Sequence, residues 1–291
     1  MKFGKVDDPG NIDFTLPPDH PDTKAVLTET DNGEFEMYVG CAKWNRKDLK
    51  NFYPRGTKDE LTYYSRQFNS IELNATFYGR FSTKVVENWY AKTPDHFRFA
   101  PKIIQRISHF KRLKDTSEEV EGYINQMSHL KHKLSTIFLQ MHPTFSPKSY
   151  NDLMAFIREW PEEFSLAVEL RHPDWYNGNT DMEPLYKLME EKDVSHIITD
   201  AAGRRDMLHM RLTNSIAFVR FTGANFDGDY KRLDEWIKRL KSWKQQGINR
   251  VLFFVHQNLE LSSPMLAKYF IKKVNNELDL DLGIPGENML F

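Results

Sequence analysis

Short apolar runs and amphipathic stretches alternate along this chain. Phe35 to Cys41 is an apolar run that enters the turn Gly40-Cys41-Ala42-Lys43-Trp44 and reads as a first strand. After Phe52-Tyr53-Pro54, Thr57 caps a helix running to about Phe68, and Glu60 completes a Thr-x-x-Glu capping box. Ser70 to Asn74 alternates cleanly, with Glu72 and Asn74 opposite Ile71 and Leu73. A helix from Ser82 or Thr83 to about Lys92 and a strand from Phe97 to Lys102 follow. A polar connection carrying His109 leads to a helix from Ser117 to Lys133, capped by Thr116 or Ser117. Thr136 to Gln140 is the next strand, and Pro147, near a first helical position, opens a helix to Trp160.

The stretch from Ser165 to Trp175 organises the rest. Period-two geometry puts Leu166, Val168 and Leu170 on one face and Ala167, Glu169 and Arg171 on the other, so one face is apolar and the other becomes charged towards its end. Pro173 then stops the ladder, because it has no N–H to donate. Glu169 and Arg171 either neutralise each other as neighbours or belong to a site. Further on, the pattern predicts a helix from Asp181 to Lys192 and a strand from Val194 to Asp200, with Asp200 at its tip. A strand from Ile216 to Gly223 places Arg220 and Thr222 opposite Val219 and Phe221. A helix from Tyr230 to Gln246 ends at Gly247, and a strand from Arg250 to Asn258 and a helix from Pro264 to Glu277 complete the series.

Eight strand–helix alternations, each of about thirty residues, match a (β/α)₈ barrel in size and order. The expectation is an α/β protein with a single TIM-like barrel over residues 35–280, an N-terminal extended arm at 1–34 and a C-terminal tail at 281–291. The arm holds Pro9-Gly10 and Pro17-Pro18 without periodicity. A doubly wound sheet is the alternative, but Gly40-Cys41-Ala42-Lys43 lacks the G-x-G-x-x-G spacing of a dinucleotide-binding turn.

Composition narrows the function. Lys+Arg 40 against Asp+Glu 41 leaves no net basic field, which argues against nonspecific nucleic-acid binding. The single cysteine, Cys41, removes a disulfide framework and a thiolate zinc cage and suits a cytoplasmic location. Its expected place is as a small buried hydrophobe. No segment reaches the roughly 18 apolar residues that span a bilayer, so a membrane is not an expected partner.

In barrels of this kind the active site lies at the C-terminal mouth, on strand tips and the loops after them. The tips supply Lys43, Glu72, Asn74, Lys102, Gln140, Glu169, Arg171, Asp200, Arg220, His256 and Asn258. Polar residues repeated inside a barrel need partners, so a functional mouth is set against a merely salt-bridged rim. Glu72, Glu169 and Asp200 are the catalytic candidates, as movers of protons. Arg171, Arg220 and Lys102 suit the oxygens of a phosphate or carboxylate, which makes an anionic small molecule the expected partner. Asn74 and Asn258 would orient it, with Gln140, Lys43 and His172 beside them. Gly223, in the turn after its strand, suits a phosphate on backbone amides. Trp44, Tyr53, Tyr78 and Trp175 follow strand tips and either stack on a ligand or anchor loops.

No cofactor is assigned. A divalent metal on Glu72, Glu169, Asp200 and His256 is the weaker alternative, because interleaved Lys and Arg compete with the cation. A glycosidic carboxylate pair needs a separation that sequence does not give. Lys102 as an imine-forming amine is weighed against the same lysine as an ion-pair partner. Two classes of function remain: a hydrolase, lyase or isomerase, and a noncatalytic module that binds nucleic acid or a metabolite.

The motifs Val39-Gly40-Cys41-Ala42-Lys43-Trp44, Phe52-Tyr53-Pro54, Ile71-Glu72-Leu73-Asn74-Ala75-Thr76-Phe77-Tyr78, Phe97-Arg98-Phe99-Ala100-Pro101-Lys102, Ala167-Val168-Glu169-Leu170-Arg171-His172 with Trp175, and Val219-Arg220-Phe221-Thr222-Gly223 together resemble the domain-of-unknown-function-72, or YecE-like, family. The resemblance spans residue 37 to about residue 270. It implies a TIM-like barrel and carries no established activity. Thr222 stands where the family pattern has His before the glycine, and His256-Gln257-Asn258 where it has a pair of asparagines.

Overall fold

The computed structural model describes residues 4–28 and 33–287; the parts of the expected arm and tail at 1–3, 29–32 and 288–291 lie outside the described residues. Strands and helices alternate as an α/β fold with parallel sheets. The strands are β1 (Glu36–Cys41), β2 (Ser70–Leu73), β3 (Arg98–Pro101), β4 (Ile137–Gln140), β5 (Leu166–Glu169), β6 (Ser195–His196), β7 (Ile198–Ala201), β8 (Ile216–Gly223) and β9 (Arg250–Gln257). Three parallel ladders form, in the orders β1-β9-β8-β7, β2-β3 and β4-β5-β6.

Among the described residues these ladders do not join into one closed sheet, as the expected barrel would have them do. The seams are bridged by other means. Between β1 and β2 the Asn69 side chain stands in for a peptide: Val39 N donates to Asn69 Oδ1 and Asn69 Nδ2 donates to Met37 O, both at 2.8 Å. Gly40 is required there, because a Cβ would collide with the Ser70 carbonyl oxygen. Between β3 and β4, single parallel bridges link Phe99 to Leu134 and Lys102 to Phe138. β6 and β7 are one run interrupted at Ile197, whose N–H donates to Val168 O at 2.9 Å.

Strand parity sorts the core into two clusters. Val39, Ile71, Phe99, Leu139, Val168, Val219 and Phe253 face the helices and pack in the larger one. Tyr38, Ala100, Phe138, Ala167, Ile197, Phe218, Leu252 and Phe254 pack against one another in a second cluster on the opposite, inner face. One step further along the strands this inner face becomes polar, at Glu72, Lys102, Gln140, Glu169, Arg220 and His256, all buried. The apolar layer is thus the floor of the site.

The helices are α1 (Thr23–Thr28), α2 (Glu60–Tyr64), α3 (Thr83–Lys92), α4 (Ser117–Met127), α5 (Tyr150–Glu159), α6 (Glu183–Glu191), α7 (Gly228–Gln246) and α8 (Ser263–Leu278). Four of them are shorter than expected, α6 starting two residues later and ending one earlier. Asp59, not Thr57, caps α2, its Oδ1 accepting from Thr62 N at 2.8 Å, while Thr57 Oγ1 donates to Pro54 O and Glu60 accepts from Arg46 N. Past Met127 the chain tightens into a 3₁₀ segment with Lys131 out of helical geometry. Pro147 starts a 3₁₀ turn that precedes α5. Gly247 ends α7 in the left-handed conformation, at φ 106°.

Residues 4–28 lie along the domain surface and contribute α1, which the sequence pattern does not predict. Thr23 Oγ1 donates to Met210 O at 2.8 Å, Arg239 bonds Asp19 at 2.6 Å, and Leu27 is fully buried.

Candidate functional site

Arg220, on the inner face of β8, is the hub. Its Nε and Nη2 fork onto the two oxygens of Glu72 at 2.9 and 2.8 Å, and its Nη1 reaches Glu169 and, at 3.3 Å, Gln140 Oε1. Glu169 also accepts from Arg171 Nε at 2.7 Å. Glu72 accepts from Asn74 Nδ2 at 2.7 Å and lies 2.9 Å from His256 Nε2. The other ring nitrogen of His256 faces Glu260 at 3.8 Å. Lys102 Nζ donates to Gln140 Oε1 at 3.1 Å and stands 4.1 Å from the centre of the Phe77 ring. Both readings of Glu169 and Arg171 therefore meet, since they pair and also join a cluster built from six strand ends.

The electrostatics assign different states to these groups. Burial pushes the Glu72 carboxyl up, but Arg220 and His256 outweigh it and hold Glu72 well below the usual carboxylate range. Burial likewise raises Glu169, and Arg171 and Arg220 bring it down to about 2. Burial lowers His256, and Glu72 and Glu260 pull it above its ordinary value. Lys102 moves the other way: burial, then repulsion from Arg220 and Arg171, brings it down to about 7. Both glutamates are thus fixed acceptors at neutral pH, and Lys102 is brought into the neutral range.

Two cavities open above the cluster. One, of roughly 470 Å³, is lined by Phe77, Lys102, His109, Gln140, His142 and Arg171, with Tyr78 and Phe110 on its rim at 75% and 70% exposure. Its charged lining groups are both cationic. Burial and the nearby Lys102 lower His109 to about 4, and burial also lowers His142, so neither imidazole adds charge at neutral pH. The second cavity is lined by Lys43, Trp44, Glu72, Asn74, Tyr78, Lys102 and Glu260. Lys43 there pairs with Asp48 at 3.2 Å. Lys102 and Tyr78 line both cavities.

Six expected site residues lie elsewhere. Asp200 pairs in register with Phe221, on the helix-facing side of the sheet, because Ile197 and Thr199 take the inner positions. There it binds Arg232 and Trp236 Nε1, each at 2.8 Å, and Arg205. Trp175, 2% exposed, donates its indole N–H to Phe145 O at 2.7 Å and is a loop anchor. The same holds for Tyr53, which is buried and donates to Trp44 O. His172 turns to accept from Asp174 N at 3.2 Å. Gly223 lies under the Gln257 side chain, and the amides of Ala224 and Phe226 that a phosphate would use are held by the Asp229 carboxylate. Asn258 lines neither cavity; its N–H donates to Gly223 O at 3.2 Å.

Among the described residues, no three His, Cys, Asp or Glu side chains converge as a metal-ligand set. Of the four expected ligands, Asp200 is on the far face and Glu72 is forked by Arg220. His256 belongs in the site by the parity it shares with Leu252 and Phe254, a signal present in the sequence. Phe77 lies in the 3₁₀ turn Asn74–Phe77, His109 in the π-helical turn Arg106–Phe110 and His142 in the loop after β4, segments too short for periodicity to mark which side chain faces the cavity.

Comparison with known proteins agrees with this frame. The chain is 26% identical to the UPF0759 protein YecE of Escherichia coli strain K12 over 280 residues, covering 88% of this chain and 100% of that protein. It is 24% identical to the UPF0759 protein YunF of Bacillus subtilis strain 168, covering 72% and 85%. A crystal structure of a DUF72 family protein from Enterococcus faecalis V583 superposes with a TM-score of 0.67 at 20% identity, covering 85% of this chain and 99% of that one. Another, from Thermotoga maritima MSB8, gives 0.64 at 23% identity, covering 82% and 99%. Residues 38–287 match the family described as "Protein of unknown function DUF72", and the chain belongs to that family.

Proposed function

We propose that this protein is a cytoplasmic enzyme built on a TIM-like barrel, which binds a small anionic molecule at its mouth and moves a proton with Lys102. The side-chain and single-bridge links across the seams, together with an apolar plug inside the strands, support the barrel reading. One observation carries the function: the charged groups lining the 470 Å³ cavity are Lys102 and Arg171, with no carboxylate among its lining residues. An anion entering there meets a planar guanidinium and a buried ammonium, and would raise the proton affinity of the lysine as it binds. Glu72 and Glu169 then serve as fixed counter-charges that orient Arg220 and Arg171 rather than as acids.

Thermal unfolding with inorganic phosphate and with small carboxylates tests this. A ligand that binds only the folded state raises the midpoint, by about 2.7 kcal/mol of stabilisation at a hundred times its Kd. The rise is expected in the wild type and absent in Arg171→Ala and Lys102→Met, each compared with its own ligand-free midpoint. An equal rise in both variants would place the anion elsewhere and overturn the reading.

A further inference from the structure

Lys102 is held unusually well for a lysine. Its backbone N–H donates to Leu73 O at 3.1 Å, and its carbonyl accepts from Thr76 Oγ1 at 2.7 Å and from Tyr123 OH at 2.9 Å. The residue is 7% exposed and, among the described residues, its Nζ forms no ion pair; its one hydrogen bond goes to a neutral amide. The two carboxylates close enough to matter are already bonded to guanidinium groups. A lysine serving only as a structural cation would take a carboxylate, as Arg220 does. Lys102 lines both cavities and so stands at their junction, with Arg171 lining one and Trp44 and Asn74 the other.

We infer that Lys102 condenses with a small carbonyl compound that carries an anionic group, a 2-oxo acid being the simplest member of the class, to form an imine at that junction. The inference rests on the anion-binding reading above and names the substrate chemistry. The free amine attacks the carbonyl carbon, a C–N bond forms, and the oxygen takes up the proton that the nitrogen releases. The resulting carbinolamine breaks its C–O bond and loses water, the hydroxyl leaving with the second proton of the nitrogen, to give C=N with no net oxidation. Arg171 holds the carboxylate, and the flanking guanidiniums favour the uncharged amine that the first step needs. The free-base population of a lysine at about pH 7 supports this step at neutral pH.

The test is reductive trapping of the whole protein with pyruvate and borohydride, read by intact mass and peptide mapping, with neutral acetaldehyde in parallel. Pyruvate is expected to give one reduced adduct, mapped to Lys102 and lost in Lys102→Arg. Its rate should fall about tenfold for each pH unit below the pKa of the amine. Acetaldehyde should label Lys102 more slowly, and Arg171→Ala should remove the difference between the two carbonyls. Adducts spread over surface lysines without excess at Lys102, or none at all, would overturn the imine. If phosphate still raises the thermal midpoint in that case, the anion site stands without the covalent step; if it does not, both readings fall.

Discussion

At the scale of single residues, the pairing pattern decides what each charge can do. Glu72 has no solvent exposure and satisfies both nitrogens of a guanidinium fork, an amide and an imidazole. Glu72→Gln keeps its shape but leaves Arg220 short of one counter-charge in a buried site. Removing one partner of such a pair costs about 3–5 kcal/mol, so the variant should unfold at markedly lower urea. Stability within about 1 kcal/mol of the wild type would show that the cluster is more hydrated than its burial indicates. Loss of activity in this variant would then report a displaced Arg220 and not a missing acid. Glu72, Glu169 and Arg171 were legible from strand parity, because a period of two needs only the local pattern. A strand tip alone does not fix a face: Ser195, Ile197 and Thr199 hold the inner positions in unbroken parity, which puts Asp200 on the opposite face.

At the scale of elements, the seam between β1 and β2 depends on one amide. Asn69 is both donor and acceptor for the β1 backbone, so Asn69→Ala strands Val39 N and Met37 O together. Each buried backbone group left unpaired costs about 1–3 kcal/mol. Equilibrium unfolding should lose stability in that range or above, and amide exchange at Val39 should accelerate more than at Phe253. Uniform exchange across the two strands would mean that the seam is held elsewhere. The strands themselves were legible to within a residue or two, since alternating runs of Val, Ile, Leu and Phe carry their own signal. Helix starts were less so. Asp59 competes with Thr57 for the same cap, and sequence spacing favours the capping-box motif while the folded loop uses Glu60 to hold Arg46 instead.

At the scale of the whole molecule, a second buried group of titratable rings sets the acid limit. His196 and His209 stack with centroids 3.8 Å apart, flanked by Tyr176, and neither ring nitrogen of His196 has a hydrogen-bond partner among the described residues. Burial lowers His196 well below its ordinary value of 6.5 and brings His209 to about 4. The unfolded chain therefore binds more protons than the folded one below pH 6.5. The stability of the neutral pair is fully present above that value and is lost as pH falls towards 4, by up to about 1.4 kcal/mol per pH unit for each histidine. Urea unfolding across this window should show that slope, and His196→Phe should reduce it. An unchanged slope in the variant would assign the acid sensitivity to other groups, His109 among them. No helix among the described residues is long and apolar enough to cross a membrane.

The sequence by itself determined the alternation of strands and helices, the family, and the two faces of each strand that carry Glu72, Lys102, Gln140, Glu169, Arg171 and Arg220 inward. These follow from local periodicity and from motifs, which do not depend on how distant segments meet. Only the tertiary structure decided which carboxylate each guanidinium would take, and with it that Lys102 is left without one. It also decided that the Gly223 turn is filled by Asp229 and that Trp175 is an anchor. Those outcomes depend on distances between residues far apart in the chain, such as the 148 positions separating Glu72 from Arg220, and no local pattern encodes them.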